Sequence, residues 1–530
     1  MKDKEQKLTG SYYTPPNALK FMWDYLDAKK KYKRILEPSV GDGRFLEHIL
    51  VHNTHDVILD AIEIDTQKAK RLKTKYCHKN QVQIINQDFL EYANSNKNPY
   101  YDLIIGNPPY INKKNMPRKS IDLLYSLADG FNLNESICQN LWVGFILGAA
   151  RLLNCNGAIF FVLPLEFLQV NYAESLRNWL ESKFNTIHVI TFEKRMFPEI
   201  EQETCLVYMT NLSHKKPAIL YRKYIEIDID SLDWESSIVK NKPLKKWSNA
   251  VLNDREIELL TQPNNNLINI GTLGHCAPGV VTAANRELIL SKKECDQLKA
   301  SNFVRPIISK SSYLRNEIVI TDDIITRLDH QEKKDYLLDL KGETGDLPKE
   351  LMQYLDEVGN KIRHGRKIKE SYKCSRRTPW YGVPLTRVGD ICFFKRYDKF
   401  PRLCLNESGA LTTDIAYNLL IQKRYDPKSI VFSFYNSFTL ALCEFNCRYY
   451  GGGVAELTPS EFKSIRIPYV KVNDRQWSHF VDLIKAGTPI LQIAEYVDSI
   501  ALKDWSHDEL QTTKSVFKKL ILRRGVSLQS

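Results

Sequence analysis

Four consecutive residues, Asn107-Pro108-Pro109-Tyr110, follow an apolar run, YDLIIG, that ends abruptly. Their types suit one demanding reaction. An exocyclic amine on a nucleobase is a poor nucleophile because its lone pair is delocalised into the ring. Two acceptors that bind its hydrogens, the Asn107 side-chain oxygen and the Pro108 carbonyl, pull the nitrogen toward tetrahedral geometry and free the lone pair for attack on a methyl sulfonium. Prolines hold that carbonyl rigidly and add no competing donor. The Tyr110 ring offers a face on which an extruded base can stack. Taken alone, the tetrapeptide equally describes a proline-stiffened turn.

Three further groups lie upstream at the ends of apolar runs. Glu37-Pro38 leads into Gly41-x-Gly43, a turn in which glycine permits positive φ and close approach of the backbone to a ligand. The third glycine of a dinucleotide fingerprint is absent, because Leu46 fills that position. Glu63 stands 20 residues past Gly43, where a carboxylate can accept both hydroxyls of a ribose. Asp88-Phe89 places an acid and a ring where an adenine edge and face could be held. Each feature alone is ordinary; three successive acid-bearing strand ends describe a nucleoside site.

These groups need a scaffold of alternating elements. RILEPSV (34–40), VILDAIEID (57–65), VQIINQD (82–88), YDLIIGN (101–107) and AIFFVLP (158–164) read as strands. FLEHILVH (45–52), TQKAKRLKTKY (66–76), LWVGFILGAARLL (141–153) and AESLRNWLESKF (173–184) read as amphipathic or buried helices. The alternation predicts a doubly wound α/β domain with a mostly parallel sheet. IHVITF (187–192) and TCLVYMT (204–210), with no helix evident between them, are expected to form an antiparallel hairpin at the sheet edge. Beyond about 230 the pattern changes to short strand-like pieces among glycine-rich turns, with a charged helical segment expected over 348–369. The expected division is a catalytic domain at 1–235, an irregular α+β region at 236–475 and a helical extension at 476–530.

At 530 residues, 43% of them hydrophobic, the chain exceeds one core. No apolar run approaches a membrane span and MKDKEQKLTG lacks the apolar stretch of a signal peptide, so a cytoplasmic protein without a membrane partner is expected. Eleven cysteines without a CxxC pair argue against a disulfide framework or a zinc site, and the isolated histidines suggest no metal. The net charge of +12 is concentrated: residues 361–402 carry 13 Lys/Arg against 3 Asp/Glu. Aromatic residues, among them Tyr372, Trp380 and Tyr397, are interleaved with that charge. A solvated face is one reading, and a surface for a phosphate backbone is the other.

The motifs resemble those of the amino-methylating DNA methyltransferases that use S-adenosylmethionine, in the γ arrangement with cofactor motifs first and target recognition last. GSYYTPPNALKFM resembles the family's leading cofactor motif, which assigns Tyr13, Thr14 and Pro15. EPSVGDG resembles the glycine-rich motif, with Glu37, Pro38, Gly41 and Gly43 as cofactor contacts. Asp42 departs from the serine common there and adds a carboxylate. By the same resemblance Glu63 and Ile64 hold the ribose side, Asp88, Phe89 and Phe145 the adenine, and Asn107 to Tyr110 form the catalytic loop, with Asn107 also a cofactor contact. Phe197, in FEKRMFPEIEQETCLVY, resembles a second aromatic that sandwiches the flipped base with Tyr110. GVVTAANRELIL (279–290), RRTPWYGV (376–383) and RYYGGGVAELTPSEFKSIRIP (448–468) resemble elements of the recognition domain.

The resemblance implies a Rossmann-like class I methyltransferase domain followed by an α+β target-recognition domain. It implies transfer of methyl to adenine N6 in a specific duplex sequence after base flipping, in a prokaryotic cytoplasm. Arg376, Arg377, Trp380, Lys395 and Arg396 are the expected DNA contacts. A cognate restriction endonuclease would be a genetic partner, and a monomer or weak dimer is expected. Asparagine before the prolines favours adenine over cytosine N4, and the absence of a Pro-Cys dipeptide excludes cytosine C5 chemistry. Alternatives are a protein-glutamine or RNA amine methyltransferase, or a non-catalytic DNA-binding subunit. A fused nuclease is not expected, since the chain opens on the cofactor motif and carries no nuclease signature near its end.

Overall fold

The computed structural model describes residues 14–26, 32–52, 56–96, 98, 100–197, 203–211, 218–239, 243–264, 266–342, 346–363 and 365–526. It divides into two compact units, Met1–Arg255 and Glu256–Ser530.

The first unit is built on a nine-stranded sheet. Its strands are β1 (Arg34–Glu37), β2 (Ile58–Glu63), β3 (Val82–Asn86), β4 (Tyr101–Gly106), β5 (Leu153–Pro164), β6 (Thr186–Phe192), β7 (Thr204–Thr210), β8 (Ala218–Tyr224) and β9 (Leu232–Val239). They lie in the order β3-β2-β1-β4-β5-β7-β6-β8-β9. The first five pair in parallel, as the alternation predicts. β6 and β7 are antiparallel, also as expected, but they do not form the edge. β7 inserts between β5 and β6, antiparallel to both, and β8 and β9 continue the sheet outward. Six of the seven residues of β7 are buried, which suits a strand flanked on both sides rather than an edge.

Helices α1 (Pro16–Tyr25), α2 (Arg44–His52), α3 (Thr66–Lys75), α4 (Phe89–Ser95), α5 (Arg118–Asp129), α6 (Trp142–Leu152) and α7 (Glu174–Lys183) complete the unit. One apolar core joins α1, α2 and α3 to the sheet through Phe21, Leu46, Leu72, Leu103 and Phe160. α6 is buried along nearly its whole length, which its LWVGFILGAARLL sequence demands. Gly148 lets it close on α4: a Cβ there would meet Phe89 at 2.8 Å. The strand order reverses between β1 and β4, so their carboxyl ends open a crevice, the usual ligand position in such sheets.

The second unit holds a five-stranded sheet, whose central strands are Ala416–Ile421, Ile391–Phe394 and Arg402–Asn406, and a four-stranded sheet that includes Val304–Ile308 and Lys334–Leu338. A three-stranded sheet joins Arg396–Tyr397, Ala455–Glu456 and Arg448–Tyr449. Helices Pro427–Phe434 and Ser437–Asn446 pack with the terminal helices Asp474–Lys485, Ile490–Ala501 and His507–Arg523. One buried ion pair ties this bundle together: Arg524 meets both Glu444 carboxylate oxygens at 2.9 Å. The helix expected over 348–369 is shorter. It spans Lys349–Asn360, and Lys361 turns extended at φ −60° and ψ 137°. A small antiparallel hairpin, Ile362–Arg363 with Arg366–Lys367, replaces its second half. Gly365 at φ +79° and the loss of apolar periodicity after Val358 account for the change.

Candidate active site

The turn after β1 is set by its glycines. Gly41 and Gly43 adopt φ of +60° and +88°, and the Gly43 amide donates to the Val40 carbonyl at 2.9 Å. That geometry brings the Gly41 amide to the end of β2, where it donates to Glu63 Oε2 at 2.9 Å. The other Glu63 oxygen accepts from the Asp65 amide at 2.8 Å. Two backbone donors thus fix the carboxylate that the strand-end pattern assigned to a ribose. Asp65 and Asp88 cap α3 and α4, so each strand end passes directly into a helix. Asp42, the carboxylate that departs from the family pattern, is paired with Arg44 at 2.8 Å.

The ends of β1 to β4 enclose a cavity of about 270 Å³. Thr14, Glu37, Pro38, Gly41, Glu63 and Ile64 line one part of it. Asp88, Phe89, Asn107, Pro109 and Phe145 line the rest. Phe89 and Phe145 lie with ring centroids 4.8 Å apart and form an apolar wall. Ile64, 67% exposed, is a large apolar side chain left uncovered at this site. Glu37 is buried and its Oε2 has no hydrogen-bond partner. Burial pushes the Glu37 carboxyl well above the usual range, against the lowering effect of the Leu46 amide, and Asp42 and Glu63 add to the rise. A buried carboxyl with an orphaned oxygen can receive a polar or cationic ligand group.

Asn107 leaves β4 into the wall of this cavity. Its amide nitrogen donates to Thr14 Oγ1 at 3.2 Å, and its side-chain oxygen accepts from the Tyr110 hydroxyl at 3.1 Å. The same hydroxyl lies 3.1 Å from the Val162 carbonyl at the end of β5. Ser39 donates to the Asn107 carbonyl at 3.2 Å, which ties the β1 turn to the loop that follows β4. Pro38 packs on Gly106, where a Cβ would come within 3.3 Å of its ring. The Asn107 side-chain amide is therefore held by Thr14 from the segment before α1 and by Tyr110 from its own loop.

Not every expected site residue lines the cavity. Gly43 is buried in the turn, and Pro15, Pro108 and Tyr110 lie outside the lining. Tyr13 falls outside the described residues. Phe197 is buried in the apolar core beside Met196, so stacking on a base would require it to be uncovered. The strand-end pattern missed Ser39, Arg44, Lys68 and Ser120. The polar residues next to the glycine turn offered the only signal for the first two. Ser120 belongs to α5, which no strand-end pattern marks.

In the second unit the expected DNA contacts fall into different roles. Arg376 is exposed and stacks over the Tyr372 ring at 4.1 Å. Arg377 donates to the Thr282 and Val281 carbonyls at 2.7 and 2.8 Å, anchoring the GVVTAAN loop. Trp380 packs against Gly359, where a Cβ would lie 3.0 Å from its Nε1. Lys395 lies 3.9 Å from Asp414 and Arg396 3.1 Å from Glu456. No group of acids, cysteines and histidines among the described residues could hold a metal ion. No described helix is long and apolar enough to cross a membrane.

The chain is 21% identical over 496 residues to the Type II methyltransferase M.AccI of Acinetobacter calcoaceticus, covering 90% of this chain and 88% of that protein. It is 23% identical over 476 residues to the Type II methyltransferase M.XamI of Xanthomonas campestris pv. amaranthicola, covering 87% and 85%. The solved structure of the Type IIL restriction-modification enzyme MmeI in complex with DNA matches with a TM-score of 0.65 at 14% identity. That match covers 99% of this chain and 80% of MmeI, and it shows a shared fold. Residues 43–197 match the Eco57I restriction-modification methylase family and residues 244–502 match the C-terminal domain of Type II methyltransferase M.Eco57I. The chain, carrying both parts in that order, belongs to the Eco57I-type restriction-modification methylases.

Proposed function

We propose that this methylase transfers a methyl group from S-adenosylmethionine to N6 of an adenine in a specific duplex DNA sequence, after that base is flipped out of the helix. The observation that carries the reading is Asn107 of Asn-Pro-Pro-Tyr in the wall of a nucleoside-type cavity whose other walls are Glu37, Glu63 and Phe89. The cavity suits S-adenosylmethionine. Glu37 Oε2, buried and unpartnered, fits the ammonium of the methionine part. Glu63 fits the ribose hydroxyls, and Ile64 with Phe89 and Phe145 fits the adenine faces. When bound, S-adenosylmethionine would supply an electrophilic methyl carbon on a sulfonium, with a neutral thioether as the leaving group.

The chain's own residues make the amine reactive. Asn107 Oδ1 and the Pro108 carbonyl accept the two N6 hydrogens, so the nitrogen lone pair turns out of conjugation. Attack would form the N–C bond as the S–C bond to the methyl group breaks, and the methylated nitrogen would then lose one proton to solvent. The oxygen this step needs is the one the Tyr110 hydroxyl now holds. Laying the Tyr110 ring against the flipped base withdraws the hydroxyl and exposes the acceptor at the same moment. The second unit supplies target recognition, and a cognate endonuclease sharing that target would be its genetic counterpart. The order of the two parts is the γ order.

Unmethylated plasmid DNA exposed to the protein and S-adenosylmethionine, then read by sequencing that reports modified bases, tests the reading. N6-methyladenine at one recurring sequence is expected, and it should vanish with Asn107→Ala while cofactor binding survives. A cytosine N4 product, or labelling confined to RNA or protein glutamine, would overturn it.

A further inference from the structure

The hairpin that replaces the second half of the expected helix stands out in three ways. First, residues 361–377 contain eight Lys/Arg and one acid, Glu370. Second, most of that charge is unbalanced. Arg363 pairs with Glu287 and Arg377 is bound to two carbonyls. Lys361, Arg366, Lys367, Lys369, Lys373 and Arg376 have no carboxylate partner among the described residues, unlike Lys395 and Arg396. Third, the segment exposes apolar side chains. Ile362 is 76% exposed, the highest value among the exposed large apolar residues described, and Tyr372 is 67% exposed.

The anchors show how the hairpin is held. Arg363 and Arg377 both fasten it to the 281–287 segment, while Lys361, Arg366, Lys367 and Lys373 are exposed. A Cβ at Gly365, where φ is +79°, would meet nothing within 4 Å, so that position opens onto free space. Ile362 pairs with Lys367 across the two strands, which places an apolar and a cationic residue side by side. Isolated apolar residues in a cationic ribbon do not form the continuous patch that a bilayer requires. They match a groove, whose walls are phosphates and whose floor carries base edges and thymine methyls.

We propose that the 361–376 hairpin and loop are a DNA-contacting ribbon, with Arg366, Lys367 and Lys373 on phosphates and Ile362 against base edges in the major groove. This assignment rests on the duplex-DNA reading above and moves the phosphate contacts away from Lys395 and Arg396, whose charges are already paired. A two-stranded ribbon has the width the major groove admits.

Binding to a duplex that the wild-type protein methylates tests the assignment, measured as a function of salt. Each lost phosphate contact lowers the log–log salt slope by about 0.9. The triple variant Arg366→Gln/Lys367→Gln/Lys373→Gln should lower the slope by about 2 to 3. Ile362→Ser should leave the slope alone and weaken binding to the methylated sequence roughly tenfold relative to unrelated duplex. S-adenosylmethionine affinity and thermal unfolding, measured alongside, report on the fold. Where the triple variant fails to fold, the single Arg366→Gln change, expected at about 0.9 in slope, decides instead. A wild-type slope in the triple variant or in Arg366→Gln, or an unchanged sequence preference in Ile362→Ser, while the parent methylates DNA, overturns the ribbon alone. Absence of any duplex methylation by the parent overturns the functional reading, and the ribbon with it. Tighter binding of the hairpin's charges to phosphatidylserine vesicles than to duplex would also overturn the ribbon.

Discussion

Thr14 is separated from Asn107 by 93 positions, yet its hydroxyl is the acceptor for the Asn107 amide nitrogen at 3.2 Å. An amide has two faces with opposite roles, and only the oxygen can take a hydrogen from adenine N6. With the nitrogen bound to Thr14, the oxygen is directed to the other side, where Tyr110 now holds it. Replacing Thr14 by valine keeps the buried shape and removes the acceptor. The amide then gains a rotated state that presents N–H groups to the target amine. One neutral hydrogen bond contributes about 0.5–1.5 kcal/mol. At about 1.4 kcal/mol per decade, Thr14→Val should lower the single-turnover methylation rate roughly 2- to 12-fold at saturating cofactor and DNA. Thr14→Ser retains the hydroxyl and should restore most of the rate. A role in cofactor contact alone would instead appear in the cofactor KM and leave the saturated rate unchanged. A wild-type saturated rate in Thr14→Val, or a serine variant as slow as the valine one, would refute the clamp.

Three other outcomes follow from buried groups. Glu37 carries a raised pKa because it is buried, so its proton must leave when a cationic ammonium binds; cofactor affinity should fall as pH drops through that pKa. Calorimetry in buffers of different ionisation enthalpy should show protons released on binding, and none released would contradict the pairing. Asp335 is fully buried with neither carboxylate oxygen partnered, and burial, reinforced by Asp329, pushes its pKa from 3.8 to about 7. A raised folded-state value means the protonated form is favoured in the fold. Its contribution is therefore complete below the unfolded value and is lost as pH rises to about 7, by at most about 4 kcal/mol. Asp335→Asn should raise the unfolding temperature at pH values above Asp335's own and leave it unchanged where both forms are neutral; equal shifts at the two extremes would dismiss the ionisation account. Arg524→Ala strands the fully buried Glu444 carboxylate and should cost about 3–5 kcal/mol in thermal unfolding, whereas a wild-type melting curve would show the pair to be dispensable.

The sequence by itself carried the chemistry and the local scaffold. Acids and rings at the ends of four apolar runs are local features, and short apolar runs that alternate repeatedly with helical patterns indicate a parallel sheet. Glu37, Glu63, Asp88, Phe89 and Asn107 therefore meet at one cavity as their spacing implied. What the sequence left undecided depended on non-local partners. β7 is an interior strand because β5 and β6 cover it on both sides, and nothing within TCLVYMT names those neighbours. Arg377 reads as a DNA cation until the carbonyls of 281 and 282 arrive from 95 positions away, and Phe197 reads as a stacking ring until the core closes over it. The 348–369 segment loses its apolar periodicity after Val358, and a positive-φ glycine with the pairing of Arg363 to Glu287, 76 positions away, favours a hairpin there. Residue types say which bonds a group can make; only the folded chain decides which of them are already made, and by whom.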